Sequence, residues 1–282
     1  MRGLKRGEIE EIAHDFGKAV EVARQAGFDC VEVHAGHGYL LSQFLSPYTN
    51  HRHDDFGGSL ENRLRFTRMA MEEVMKAAGS DMGVLVKMNM DDGFRSGMHE
   101  EECLRVAEAL LGMGADALVL SGGFVSKAPM YVMRGRMPLY SMTYYMHQKW
   151  LKYSVRWFGG MMIPYEPFRP LYFLEQARSF RKAFPDATLV YVGGVTQGDQ
   201  MEKVLGEEGF DFVQMGRALL RDPELVNHIA EGAAGCDCDH VNYCIARMYS
   251  REMACHKCVY NELPKRIKRE IEQIKREAAK GL

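Results

Sequence analysis

The 282-residue chain is 46% hydrophobic, carries a formal charge of −2 and spreads its 36 basic residues along its length. That length can bury a sizeable core, as one large domain or one plus an appendage, and the dispersed charge excludes a nucleic-acid footprint. Apolar runs stay short of the ~18 residues a spanning helix needs, and no signal-like N-terminus opens the chain. The expectation is a cytoplasmic protein with no membrane partner.

Residues 8–26 place Ile9, Ile12, Ala13, Phe16, Ala19, Val20 and Ala23 at helical spacing. Gly27 closes this helix, and Phe28-Asp29 lead into a strand at 30–34. The same joint returns at Gly114-Ala115-Asp116, before a strand at 117–121, and at Gly209-Phe210-Asp211, before one at 212–215. Helix, glycine, one residue, aspartate and apolar strand make a repeated αβ unit. Further strands fit at 83–89 and 188–192, and helices at about 60–78, 99–112, 171–184, 198–207 and 222–232 cover them. Continuous apolar strands predict burial on both faces and a parallel sheet.

Five strands are fewer than the eight of a (βα)8 barrel. Counted by units, the chain runs from the fourth strand to the eighth, so the expected fold class is an α/β TIM-type barrel without its first three βα units. The barrel part is assigned to residues 1–235. A methionine- and aromatic-rich insertion at about 124–170 is either a lid or a packing and dimerisation element. Residues 236–282 form a cysteine-rich segment and a charged C-terminal helix, expected to be solvated.

Polar residues gather where strands end. The strand at 30–34 runs out into His34-Ala-Gly-His37-Gly-Tyr39, and in parallel α/β folds that edge is where ligands sit. Two imidazoles there can donate to one ligand oxygen and stabilise developing negative charge. The Tyr39 phenol can supply a proton. The rival readings are satisfied core histidines or a zinc site, for which no further ligand follows at metal spacing. After Tyr39 a long ordered loop is expected, with Arg52 and Arg63 pairing Asp54 and Asp55.

Lys87, within an apolar strand, needs an anion partner or a depressed pKa. It is a candidate for holding an electron-rich ring or for Schiff-base chemistry of aldolase type. Gly193-Gly194 and Gly216-Arg217 end the last two strands, where barrels commonly bind phosphate. Five of the seven cysteines crowd into C-x-C-x5-C-x10-C-x2-C at 236–258. Only Cys255-His-Lys-Cys258 has metal-like spacing, so reduced thiols are preferred over a metal or Fe–S cluster held by Cys238, Cys244, Cys255 and Cys258.

Residues 31–66, VEVHAGHGYLLSQFLSPYTNHRHDDFGGSLENRLRF, together with VKMN at 86–89, VGGV at 192–195 and FVQMGRALLRDPEL at 212–225, resemble the old yellow enzyme family of FMN-dependent oxidoreductases. That family includes ene-reductases and the flavin domains of 2,4-dienoyl-CoA reductases. The resemblance covers about residues 8–232 and implies an FMN barrel that passes hydride from NAD(P)H to an activated alkene such as an unsaturated carbonyl compound. It implies that His34 and His37 bind the carbonyl oxygen and that Tyr39 protonates the α-carbon. Lys87 then faces the flavin N1/C2 oxygen edge, and Gly193, Gly194, Gly216 and Arg217 hold the phosphate. Two departures stand out. The first three βα units are absent, which leaves open a fragment or split enzyme whose missing strands come from a partner or a homo-oligomer. In the cysteine stretch, Val241 stands where many relatives carry a cysteine.

Overall fold

A computed structural model describes residues 3–248 and 251–280; Met1, Arg2, Tyr249, Ser250, Gly281 and Leu282 lie outside them. The elements run α1 (Arg6–Gln25), β1 (Cys30–His34), α2 (Leu40–Leu45), α3 (Leu60–Ala78), β2 (Gly83–Asn89), α4 (Glu100–Gly112) and β3 (Ala117–Ser121). Next come α5 (Pro129–Met133), α6 (Leu139–Thr143), α7 (Lys149–Met162), α8 (Leu174–Ala183), β4 (Leu189–Val192) and α9 (Gly198–Glu202). The chain continues with β5 (Phe212–Gln214), α10 (Arg217–Arg221), α11 (Leu225–Ala230), α12 (Tyr243–Arg247) and α13 (Lys265–Ala279). The strands form one sheet in the order β1-β2-β3-β4-β5, with parallel pairing from β1 through β4. By contact density the chain divides in two. One unit takes residues up to Lys127 with Leu174–Val192 and Gly209–Phe212; the other takes Ala128–Phe173, Gly193–Glu208 and the residues from Val213 on.

In the first unit the repeated joint has a physical basis. Gly27, Gly114 and Gly209 all take positive φ, the left-handed turn that ends a helix cheaply only at glycine. The aspartates that follow anchor the next strand. Asp116 accepts from the Val84 amide at 2.7 Å and returns its own N–H to the Val84 carbonyl; Asp211 treats Leu189 the same way, at 2.8 Å. These two aspartates thus pin β3 to β2 and β5 to β4 where the later strand begins. Helix α1 buries a narrower stripe than its sequence suggests, Ile9, Ala13, Gly17 and Val20, against α3.

Burial is not uniform across the sheet. Every residue of β3 is buried. In β1, Cys30 and Glu32 are exposed, and Phe212 of β5 is 59% exposed. Full burial of all five strands is therefore not found: β1 and β5 each have a hydrogen-bonded neighbour on one side only within this sheet.

In the second unit, part of the methionine-rich insertion builds a small core, with Met130, Met137 and Met142 buried against Ala246 of α12. Helix α13 is docked rather than solvated. Its Ile267, Ile271 and Ile274, at i, i+4 and i+7, bury with Val241, Tyr243 and Leu263. Its Glu270 carboxylate accepts from the amides of Tyr140 and Ser141 at 2.7 and 2.8 Å and so caps α6. The dense charge of this segment masks a three-residue apolar stripe. Among the described residues no helix is long and apolar enough to cross a membrane.

Candidate functional site

The first unit brings His34, His37 and Tyr39 together where β1 ends. The His34 ring centroid lies 4.9 Å from that of His37 and 4.9 Å from that of Tyr39, both edge-on. Tyr39 is about half exposed and opens α2, a short helix inside the stretch expected to be loop. The tight turn that gathers these rings depends on Gly36 and Gly38. A Cβ on Gly36 would stand 2.7 Å from Asn89 Oδ1, and one on Gly38, at φ 78°, would stand 2.4 Å from the Phe124 ring.

Both imidazoles are held neutral. His34 is lowered from its ordinary pKa by burial and by the nearby Lys87 charge, against an opposing pull from Glu32. Its Nδ1 accepts from the Gly36 amide at 3.2 Å, which assigns the proton to Nε2 and makes that nitrogen a donor. Burial, followed by His34 and Lys87, lowers His37 to about 3. Its Nε2 lies 2.7 Å from Ser121 Oγ. His37 adopts φ 58°, a left-handed conformation that costs a non-glycine residue on the order of 1–3 kcal/mol and persists only when over-determined. Here its N–H donates to Asn89 Oδ1 at 2.9 Å and its carbonyl accepts from Val125.

Asn89, the last residue of the VKMN stretch, and Ser121 are positioning residues. They are register partners at the ends of β2 and β3. Asn89 is buried and uses every polar atom of its amide, donating to Asp92 Oδ1 at 2.8 Å and to the Gly123 carbonyl at 2.9 Å. Asp92 also accepts from Ser46 Oγ and the Met98 amide. Burial raises its pKa; these donors partly counter that. Their signal in the sequence is a polar residue closing each of two largely apolar strands. Tyr48, Phe94 and Phe124 form an edge-to-face cluster beneath the turn, with centroids 4.8–6.0 Å apart.

Lys87 has its anion. Its Nζ lies 2.6 Å from Glu32 Oε1, and neither side chain is fully exposed. An ammonium clamped by a carboxylate is not a free amine, which counts against a Schiff-base role. In the loop, Arg52 binds Asp54 at 2.6 Å and Arg6 binds Asp55. Arg63 does not join them; it is buried against the Leu45 carbonyl and Glu102, because helix α3 turns its side chain inward.

In the second unit, Gly193 and Gly194 both take positive φ. Gly194 abuts the Tyr172 ring, which a Cβ would meet at 2.9 Å. Gly216 is exposed and no atom crowds its Cα. Arg217 donates to Asn242 Oδ1 at 2.6 Å. Open glycine backbone beside an arginine fits an anionic phosphate. Phe168 stacks on His240 at 3.4 Å, a pair that no sequence pattern flags. Burial and then Arg217 lower His240 to about 3.

Val241, which stands where the resemblance puts a further thiolate, is buried in an apolar cluster with Tyr243, Leu263 and Ile267. Among the described residues no three His, Cys, Asp or Glu side chains converge as a metal-ligand set.

Residues 1–157 match the NADH:flavin oxidoreductase / NADH oxidase family. A 4,4'-dithiodibutanoate disulfide reductase of Rhodococcus erythropolis is 40% identical over 252 residues, 89% of this chain and 62% of that protein. A cinnamate reductase of Clostridium sporogenes is 30% identical over 236 residues, 82% of this chain and 32% of that protein. The structure of morphinone reductase in complex with tetrahydroNAD superposes with a TM-score of 0.56 at 25% identity, over 83% of this chain and 52% of that one. The chain thus spans less than two thirds of each of these relatives.

Proposed function

The chain belongs to the NADH:flavin oxidoreductase / NADH oxidase family, that of the old yellow enzyme homologues, and from that premise we propose that it carries the substrate-activating half of an FMN-dependent ene-reductase. The observation behind this reading is the His34–His37–Tyr39 cluster, with both imidazoles neutral and the His34 proton assigned to Nε2. When bound, FMN relays a hydride from NAD(P)H to the β-carbon of an alkene conjugated to a carbonyl group.

Negative charge then grows on the carbonyl oxygen. His34 Nε2–H donates to it, and His37 is the second donor through Nδ1–H, its Nε2 accepting from the Ser121 hydroxyl. Neutral donors suit that role, because they stabilise the oxygen's developing charge without giving up a proton to it. Tyr39 delivers its phenolic proton to the α-carbon, completing addition of H2 across the double bond. Lys87 lends positive charge to the flavin ring edge and shares it with Glu32. Gly193, Gly194, Gly216 and Arg217 bind the phosphate. The relative named for cinnamate, an unsaturated acid, supports an alkene substrate.

The relative named for 4,4'-dithiodibutanoate supports a second reading, in which the same hydride reduces a disulfide. We further propose that strands from outside residues 1–282, on the same polypeptide or a partner, complete the barrel. Exposed Cys30, Glu32 and Phe212 on the outermost strands support this. FMN titration and steady-state turnover test these proposals together. The flavin-loaded protein is expected to oxidise NAD(P)H with enones or cinnamate-type unsaturated acids, and Arg217→Ala to lose roughly 1.5–3 kcal/mol of FMN affinity. Turnover with 4,4'-dithiodibutanoate alone selects the second reading. No FMN uptake by the complete protein overturns both.

A further inference from the structure

Helix α7 is apolar on both sides, and the protein covers only one of them. Its inner stripe is fixed. Val155 packs against the methionine core, and a Cβ on buried Gly159 would stand 3.0 Å from the Leu139 side chain. Lys152 donates to the Tyr144 carbonyl and Arg156 to Thr143 Oγ1, each at 2.8 Å, and the Arg156 guanidinium lies over the Tyr140 ring. These contacts hold α7 against α6 and its flanks and set which way the other side faces. That side carries Trp150, Tyr153, Trp157 and Met161 at i, i+3, i+7 and i+11, flanked by Phe158 and Met162. All six are exposed, Trp150 to 72% and Trp157 to 80%. A helix that is apolar all round is ordinarily covered all round, and a contiguous exposed apolar patch marks an interaction surface.

The charge beside the patch narrows the partner. No carboxylate occurs between Asp116 and Glu166 in the sequence. Of the cations in that stretch, Arg134 and Arg136 are paired, with Glu166 and Glu277. Lys149, Lys152 and Arg156, all on α7, form no ion pair among the described residues. Two copies meeting through this face would bring like charges together with no carboxylate on either helix to receive them. Tryptophan and tyrosine on one side of a surface helix, with lysine and arginine on the other, suit a membrane interface instead. There the rings settle at headgroup level and the cations meet anionic lipid.

We propose that α7 is a monotopic membrane-surface helix that lies in the plane of an anionic bilayer, with Trp150, Tyr153, Trp157 and Met161 entering the boundary between headgroups and acyl chains. Lys149, exposed at the start of the helix, meets lipid phosphate, and Lys152 and Arg156 add attraction from behind. At 14 residues the helix is too short to cross a bilayer, so the attachment is peripheral and reversible. This departs from the membrane-free protein that composition alone points to. The signal is a surface pattern, and it emerges only once the inner stripe of α7 is known.

The attachment uses no residue of the flavin site, so it stands or falls apart from the ene-reductase reading. Both tryptophans of the chain lie on this face, and intrinsic fluorescence therefore reports on it alone. The test is flotation of the full 282-residue chain through a density gradient with vesicles of phosphatidylcholine, or of phosphatidylcholine and phosphatidylglycerol in equal parts, with emission spectra taken on the same samples. The expected result is flotation with the anionic vesicles, binding to the neutral ones weaker by roughly tenfold or more, blue-shifted emission, and quenching by lipid brominated in its acyl chains. Raising the salt from about 0.1 to 1 M, which shortens screening from about 10 to 3 Å, should release most of the protein. Trp150→Gln combined with Trp157→Gln, at exposed sites that leave the inner stripe intact, should lower vesicle affinity by roughly tenfold or more. No flotation, equal binding to both kinds of vesicle, or undiminished binding by the double variant would each overturn the proposal. So would a dimer in sedimentation equilibrium that the double variant makes monomeric, with tryptophan emission unmoved by vesicles; that result would give the face to a second copy of the chain.

Discussion

The histidine turn after β1 and the cysteine turn at 255–258 hold reactive side chains in half-buried surroundings by different means. The first is braced by sheet register: Asn89 and Ser121, partners on adjacent strands, fix His37 from two sides. The second is a backbone turn, closed by the Cys258 N–H on the Cys255 carbonyl, with Asp239 between His256 and Lys275. A register-built site is as rigid as the sheet beneath it. A turn-built site is as rigid as whatever packs on the turn, here a unit whose core is closed by α13.

The largest expected effect tests that dependence. Ile271, fully buried on α13, should cost roughly 2–4 kcal/mol as Ile271→Ala. Hydrogen exchange should quicken in α12, α13 and the cysteine turn while β2 and β3 stay protected. Equal loosening of β2 and β3 would break the distinction.

Asn89→Ala comes next. It strands the His37 amide, the Gly123 carbonyl and an Asp92 oxygen in a buried place, at a cost of roughly 1–3 kcal/mol. Urea unfolding measures the loss, and unchanged stability would mean that Asn89 does not brace the turn.

A smaller effect follows pH. His37 titrates near 3 in the fold against an ordinary value of 6.5. Between those values the unfolded chain binds more protons, so stability falls as pH drops through that window. His37→Gln should flatten part of the slope in urea midpoints measured across it; an identical slope would place the titration elsewhere. Smallest is Asp54→Asn, which removes an exposed partner of Arg52 and should change stability by about 0.5 kcal/mol or less; a larger loss would mean that the ion pair organises the loop.

What is legible in the sequence follows the same division. The five strands and their glycine–aspartate joints can be read because buried parallel strands are continuous apolar runs and left-handed helix ends select glycine. The gathering of His34, His37 and Tyr39 is legible for the same reason, since a strand end fixes where its polar residues emerge. The pairing of Lys87 with Glu32 on the adjacent strand is not, because it depends on register between strands 55 residues apart. Helix α13 reads as solvated because lysines and glutamates outnumber its three isoleucines, although their spacing carries the signal. The stacking of Phe168 on His240 joins distant loops and leaves no periodic trace.

The assignment of Tyr39 as proton donor at an oxyanion site built from His34 and His37 is tested most directly by stopped-flow kinetics of Tyr39→Phe in the flavin-loaded protein, with the two half-reactions measured separately. Tyr39 is half exposed and its phenol heads no buried network. The substitution should therefore leave flavin reduction by NAD(P)H within about twofold of the parent while slowing alkene reduction by on the order of 100-fold or more. Equal losses in both half-reactions, or none in the second, would contradict that assignment.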